Sequence, residues 1–190
     1  MLAIRLIGAA ALAGVLLGAT VLVSRPWNGP VTFSQTPLHD ARLQDIDRSS
    51  SVHLSPGQTV TAKETITVRN EGDHPDTIGV YVDVFAPGAS AGSNPFGCTP
   101  HGRVLQTNVA LNANQKAIIK VDVAYSCADP VGANGQTYTW MAVADHGADD
   151  LASCGVFQIQ SQACFAALAD DDDDDGDNRV TTSGPRVLSP

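Results

Sequence analysis

Apolar and polar residues alternate with a period of two from Gln58 to Phe85. Val60, Ala62, Ile66 and Val68 fall on one side of the first stretch, with Lys63, Thr65, Thr67 and Arg69 on the other. Asn70-Glu71-Gly72-Asp73 interrupts the pattern with turn residues. Beyond it, Ile78, Val80, Val82 and Val84 share a face, with Gly79, Tyr81, Asp83 and Phe85 opposite. Alternation among β-branched residues predicts two half-buried strands joined by a tight turn. The pattern returns over Val104–Leu111, over Lys116–Tyr125 and over Gln136–Ala144. Val52-His53-Leu54 reads as a short strand before the Ser55-Pro56-Gly57 turn, and Val156–Ile159 as a last strand followed by a closing segment, Ala163–Ala169. Asp40 to Arg48, polar with scattered apolar residues, is expected to make a turn of helix. About seven short strands with turn signals roughly every 8–12 residues predict an all-β, antiparallel β-sandwich. Neither a βαβ alternation nor a solenoid repeat is present.

The two ends read differently from this body. Leu6 to Val23 is uninterruptedly apolar and uncharged, with Arg5 before it and Arg25 behind. That length is about enough for a membrane span and exceeds the roughly 7–15-residue apolar core of a cleaved signal peptide. An N-terminal hydrophobic helix is therefore expected over residues 1–25, acting as a signal-anchor, with a signal peptide as the alternative. Residues 26–51, holding Pro26, Gly29, Pro30 and Pro37, read as a linker. The sandwich is expected over 52–168 and an acidic, disordered tail over 169–190. Either reading of the leader puts the body outside, facing out from the cell membrane or secreted.

Charge and cysteine sharpen the picture. The formal net charge of −9 is local: seven of the 20 acidic residues are Asp170–Asp175 and Asp177, leaving 13 acidic against 11 basic residues elsewhere. The body has no basic patch, which argues against nucleic acid as a partner. Four cysteines, Cys98, Cys127, Cys154 and Cys164, in a chain with an export signal imply two disulfides. Three pairings are open. Cys98–Cys127 with Cys154–Cys164 is favoured, because the first would pin a long loop to a strand end and the second would close a short local loop.

The stretch LSPGQTVTAKETITVRNEGDHPDTIGVYVDV, residues 54–84, resembles the immunoglobulin-like modules of bacterial surface proteins, including the CARDB-type group. A PGQ turn precedes a strand there, followed by V-x-N-x-G and a second strand. The resemblance covers about a third of the chain and implies an extracellular binding or spacer module; it carries over no functional residues.

Several local patterns could carry chemistry. Gly88-Ala89-Ser90-Ala91-Gly92 matches G-x-S-x-G, with Asp129, Asp145 and His146 downstream, but Ser93-Asn94-Pro95 cannot form the helix that a nucleophile elbow needs. Cys98-Thr99-Pro100-His101 resembles the ligand loop of cupredoxins, with His53 as a second imidazole, yet the axial methionine expected after the histidine is missing. Asp171, Asp173, Asp175 and Gly176, with Asp177 adjoining, fit the start of a calcium loop and resemble a thrombospondin type-3 run, but the twelfth position is Thr182 rather than Glu. A solvated acidic stretch with no cofactor is the expectation there, and bound Ca2+ is the alternative. His39, His74 and His146 stand singly beside Asp or Pro and read as surface residues, while Tyr125, Tyr138 and Trp140 read as core. The expected function is an exported adhesion, binding or spacer module without catalysis, contacting an extracellular protein or glycan through the Pro87–Gly102 and Asp129–Gly135 loops. The alternative is a metal-binding exported protein, using calcium through the tail or copper in a cupredoxin-like site.

Overall fold

The computed structural model describes residues 38–146, 150–168 and 178–190. The leader and the aspartate run, with the calcium ligands expected at Asp171, Asp173, Asp175 and Asp177, lie outside the described residues. Among the described residues no helix is long and apolar enough to cross a membrane.

Among the described residues nine strands form the body: β1 (Ala41–Asp47), β2 (Ser51–His53), β3 (Val60–Asn70), β4 (Asp76–Phe85), β5 (Cys98–Thr99), β6 (Gly102–Leu111), β7 (Lys116–Cys127), β8 (Thr137–His146) and β9 (Arg179–Leu188). They build a four-stranded sheet in the order β1-β3-β7-β5 and a five-stranded sheet in the order β2-β9-β8-β4-β6. All pairings are antiparallel except β2 with β9, which is parallel. The result is an immunoglobulin-like β-sandwich, as the sequence implies.

Period-two alternation places Ile66 and Val68 of β3 and Val123 and Tyr125 of β7 against Ile78, Val80, Val82 and Val84 of β4. Tyr138, Trp140, Ala142 and Ala144 of β8 complete this core. Burying each large side chain stabilises the fold by about 1.5–3 kcal/mol. The expectation that Tyr125, Tyr138 and Trp140 pack inside holds, since all three are fully buried. Two inward positions of β3, Glu64 and Asn70, are not apolar. Glu64 is fully buried, and its two oxygens accept from Tyr125 Oη (3.0 Å) and from the Ser49 amide (2.7 Å). A buried carboxylate is tolerable where both oxygens find donors.

The structure departs from the sequence reading in several places. Asp40–Arg48 is not a helical turn: β1 occupies most of it. A bulge at Gln44, between the Leu43–Val68 and Asp45–Thr67 pairs, lengthens the spacing of buried residues from two (Ala41, Leu43) to three (Leu43, Ile46). That spacing imitates a helical repeat in the sequence. The expected disordered tail contains β9, whose Val187 is buried in the core and which pairs with both β8 and β2. With β1 and β9, the sandwich extends beyond the expected limits of 52 and 168. Gly184 of β9 has φ +126°, and a Cβ there would lie 3.0 Å from Arg48 Nε, which donates to the Ser183 carbonyl at 2.8 Å. Val156–Ile159 is a turn rather than a strand. It belongs to an excursion made of a short 3-10 turn (Asp150–Ser153) and a helix, α1 (Gln162–Leu168).

This excursion covers the outer face of the five-stranded sheet. Met141, Val143, Cys154, Ile159 and Cys164 form a second buried cluster, joined by Tyr81 and Phe85. Consequently β4 is buried on both faces, and Asp83, expected on its outer face, is fully buried. Its carboxylate pairs with Arg103 and accepts the Phe157 amide at 2.7 Å. Arg103 also donates to the Cys154 carbonyl at 2.9 Å and lies over the Tyr81 ring.

Candidate functional site

The strand direction gives the sandwich two ends, separated by the length of β4, about 30 Å for ten residues in extended conformation.

One end carries the two loops expected to form a contact surface, and the structure brings them together. The Ala128 amide donates to the Gly97 carbonyl (3.2 Å) and the Asp129 amide to the Phe96 carbonyl (3.0 Å). Cys98 and Cys127 are bonded and sit opposite one another in β5 and β7. Asn94 grips Cys98 by two bonds, Nδ2 to its carbonyl (2.8 Å) and Oδ1 from its amide (3.0 Å), and Tyr138 Oη donates to the Thr99 carbonyl (2.8 Å). Gly97, at φ +56°, is placed so that a Cβ would fall 2.9 Å from Ala128 Cβ, so the close crossing of the loops requires glycine. A groove of about 620 Å³ opens alongside, lined among others by Phe85, Ala89, Ser90, Gln136, Thr139 and Gln160. Val131 of the second loop stands 64% exposed.

The second favoured pair, Cys154–Cys164, is also formed. Cys98 is thus not a copper ligand: its sulfur is bonded to Cys127, and the His101 ring accepts the Ala86 amide at Nδ1 (3.3 Å). Ser90 lies in a tight turn closed by reciprocal backbone bonds with Ser93 (2.9 and 3.1 Å). Asp145 and His146 sit at the far end of β8, so these residues do not form a hydrolase triad.

The other end holds an arrangement the sequence reading missed. His39, His74 and His146 are not isolated. Asn70 shapes the β3–β4 turn by donating from Nδ2 to the His74 carbonyl (2.8 Å) and accepting the Gly72 amide at Oδ1 (2.9 Å). The lead-in to β1 lies along that turn, with the Asp73 amide on the Leu38 carbonyl (3.2 Å) and the Glu71 amide on the Asp40 carbonyl (2.8 Å). His39 is thereby brought over β4, and its Nδ1 lies 2.9 Å from Asp76 Oδ2. His146 Nδ1 approaches the same oxygen at 3.2 Å. The His39 ring stacks on His146 (4.0 Å between centroids) and meets His74 edge-on (4.2 Å). One ligand atom each from His39, His74 and Asp76 lie within 4.8 Å of one another.

Burial opposes the Asp76 charge. Hydrogen bonds from His39 and the Thr77 amide, with the His146 and His39 rings nearby, more than offset it and hold the carboxyl below the usual carboxylate value. Asp73, exposed, is held low by the bond from His74 and then by the Leu38 amide.

A sequence signal for this cluster does exist, at the ends of the strands. His39 precedes the inward Ala41 by two residues, Asp76 precedes the inward Ile78 by two, and His146 follows the inward Ala144 by two. Each is the next inward position past the last apolar one.

No family model matches this chain, and no curated protein matches it. Solved structures do. The CARDB domain of a Pyrococcus furiosus protein, solved in complex with di-metal ions, is 11% identical over 82% of this chain and 98% of its own, with a TM-score of 0.46. The human seminal-plasma complex of zinc 2-glycoprotein with prolactin inducible protein supplies a chain 13% identical over 83% and 98%, with a TM-score of 0.37. A Bacteroides uniformis β-glucuronidase matches over 57% of this chain and 11% of its own, at 10% identity and a TM-score of 0.35. The first meets the expected resemblance to a CARDB-type module. At such identities and with TM-scores below 0.5, none of these likenesses carries an argument about this chain.

Proposed function

We propose that this chain is an exported, non-catalytic immunoglobulin-like binding module that meets its partner through the loop end of the sandwich. The observation carrying this reading is the fastening of two long loops into one surface by Cys98–Cys127 and two interloop backbone bonds. Loops held rigidly bind with less ordering cost than loops that must be fixed on contact. Two disulfides fit an oxidising compartment outside the cytoplasm, and the apolar stretch Leu6–Val23 supplies a membrane tether that leaves the body facing out. The partner is an extracellular protein or glycan that seats on the groove beside Ser90 and Gln136.

The test replaces the exposed residues 90–93 by a short Gly/Ser turn and Val131 by serine, leaving both disulfides and the buried Ala133 in place. The full chain is cross-linked in its native envelope, and its adducts are compared with those of the variant by mass. The variant is expected to keep its thermal transition and lose the adduct. An adduct retained at wild-type yield refutes the loop surface.

A further inference from the structure

The structure assigns a divalent transition-metal site to the histidine end of the sandwich, with His39, His74 and Asp76 as ligands and zinc as the ion the donor set fits best. The site does not depend on the loop surface at the opposite end. Three separate segments deliver its donors: the lead-in to β1, the β3–β4 turn and the first residue of β4. Their ligand atoms already lie within 4.8 Å of one another. Around a tetrahedral ion with bonds of about 2.0–2.1 Å, donors stand about 3.3 Å apart, so closure needs shifts on the order of 1 Å. His39 and His74 can supply these by side-chain rotation, because both remain partly exposed, at 31% and 28%. Asp76 is the fixed member: it is 13% exposed, and its Oδ1 accepts the Thr77 amide.

Chemistry selects the ion class. Two imidazoles and one carboxylate form the donor set of three-ligand zinc sites, which keep a fourth position open. Copper(II) and nickel(II) share the preference for imidazole. Calcium and magnesium take all-oxygen shells of six or more ligands, which this cluster does not provide. A cleft of about 450 Å³, lined by Pro75, Asp76, Thr77, Ala110, Leu111 and Asn112, gives the carboxylate a route to solvent. His146 is a positioning residue. Its Nδ1, 3.2 Å from Asp76 Oδ2, steadies the carboxylate when His39 turns towards the ion. The bound ion would tie the edge strand β1 of one sheet to β4 of the other.

The experiment uses the full chain in mild detergent, stripped with EDTA and titrated calorimetrically with ZnCl2 and separately with CaCl2. Wild type is expected to take one Zn2+ at micromolar affinity or tighter, with a rise in Tm. The H39A/H74A variant, its fold checked by circular dichroism in EDTA, loses that site and the Tm rise. H146A weakens zinc binding by about 10–100-fold, the range for a group that orients a ligand. Co2+ loading gives a second readout, since four-coordinate cobalt absorbs in the visible and the double variant should not. The aspartate run is left intact throughout, so any binding by it persists in every variant. Unchanged zinc affinity in H39A/H74A overturns the assignment. Failure of wild type to bind zinc overturns it as well.

Discussion

Replacing Arg103 by alanine tests whether the excursion between β8 and β9 truly seals the outer face of the sheet. Asp83 is fully buried, and Arg103 keeps only 13% of its side-chain exposure. The carboxylate has one other donor, the Phe157 amide at 2.7 Å. Removing Arg103 leaves a buried charge without its counter-ion, a change that costs about 3–5 kcal/mol, against under about 1 kcal/mol for a solvated surface pair. Loss of the stacking on Tyr81 and of the bond to the Cys154 carbonyl acts in the same direction. Domain stability is about 5–15 kcal/mol, so the variant forfeits a large share of it. The expected fall in Tm is about 6–20 °C, at roughly 2–4 °C per kcal/mol for a chain of this size. Urea unfolding followed by circular dichroism, with the slope compared between variants, measures the free energy directly. The control is D83N/R103M, which removes both charges while the Asn oxygen still accepts the Phe157 amide. It should recover more than half of the loss. If R103A costs less than about 1 kcal/mol, the pair is solvated and the excursion does not cover this face.

Further outcomes follow from the same geometry. Cys98–Cys127 spans 29 residues and Cys154–Cys164 spans 10, so loop-closure entropy gives about 3.6 and about 2.7 kcal/mol respectively. C98A/C127A should therefore be the less stable double variant in urea, and the reverse order would contradict the entropic account. Because Asp73 and Asp76 are held below the usual carboxylate value, their contribution is present above about pH 4 and is lost as pH falls through the folded values. In EDTA, D73N/D76N should flatten the acid side of the Tm–pH curve, and an unchanged curve would discount the histidine contacts. Burial, and for Tyr125 also Glu64, push the Tyr125 and Tyr138 phenols well above their ordinary value. The folded state thus keeps protons that the unfolded chain releases above about pH 10, and stability falls as pH rises beyond it. Phenolate absorbance from these two residues should appear only together with loss of the circular-dichroism signal. Titration of Tyr125 or Tyr138 in the folded protein, isolated by Y125F and Y138F, would contradict their burial.

What the sequence determined by itself was whatever rests on local spacing. Strands β3 and β4, the strands around Val109, Val121 and Trp140, the burial of the three aromatics and the two loops are legible from alternation and turn residues, because a strand's side chains change face at every residue. That β3 and β4 do not pair as a hairpin but enter opposite sheets is not legible there. Separation in the chain favoured one cysteine pairing among three, and the tertiary structure selected it. The tertiary structure decided the rest. Whether 41–47 is strand or helix turned on a bulge that only the partner strand defines, and β9 exists because β8 and β2 pair with it. Asp83 became buried because a distant excursion folds over its face. The histidine cluster needed the relative alignment of β1, β4 and β8, since a residue's place past the end of the core is set by register between strands, and register is a long-range property.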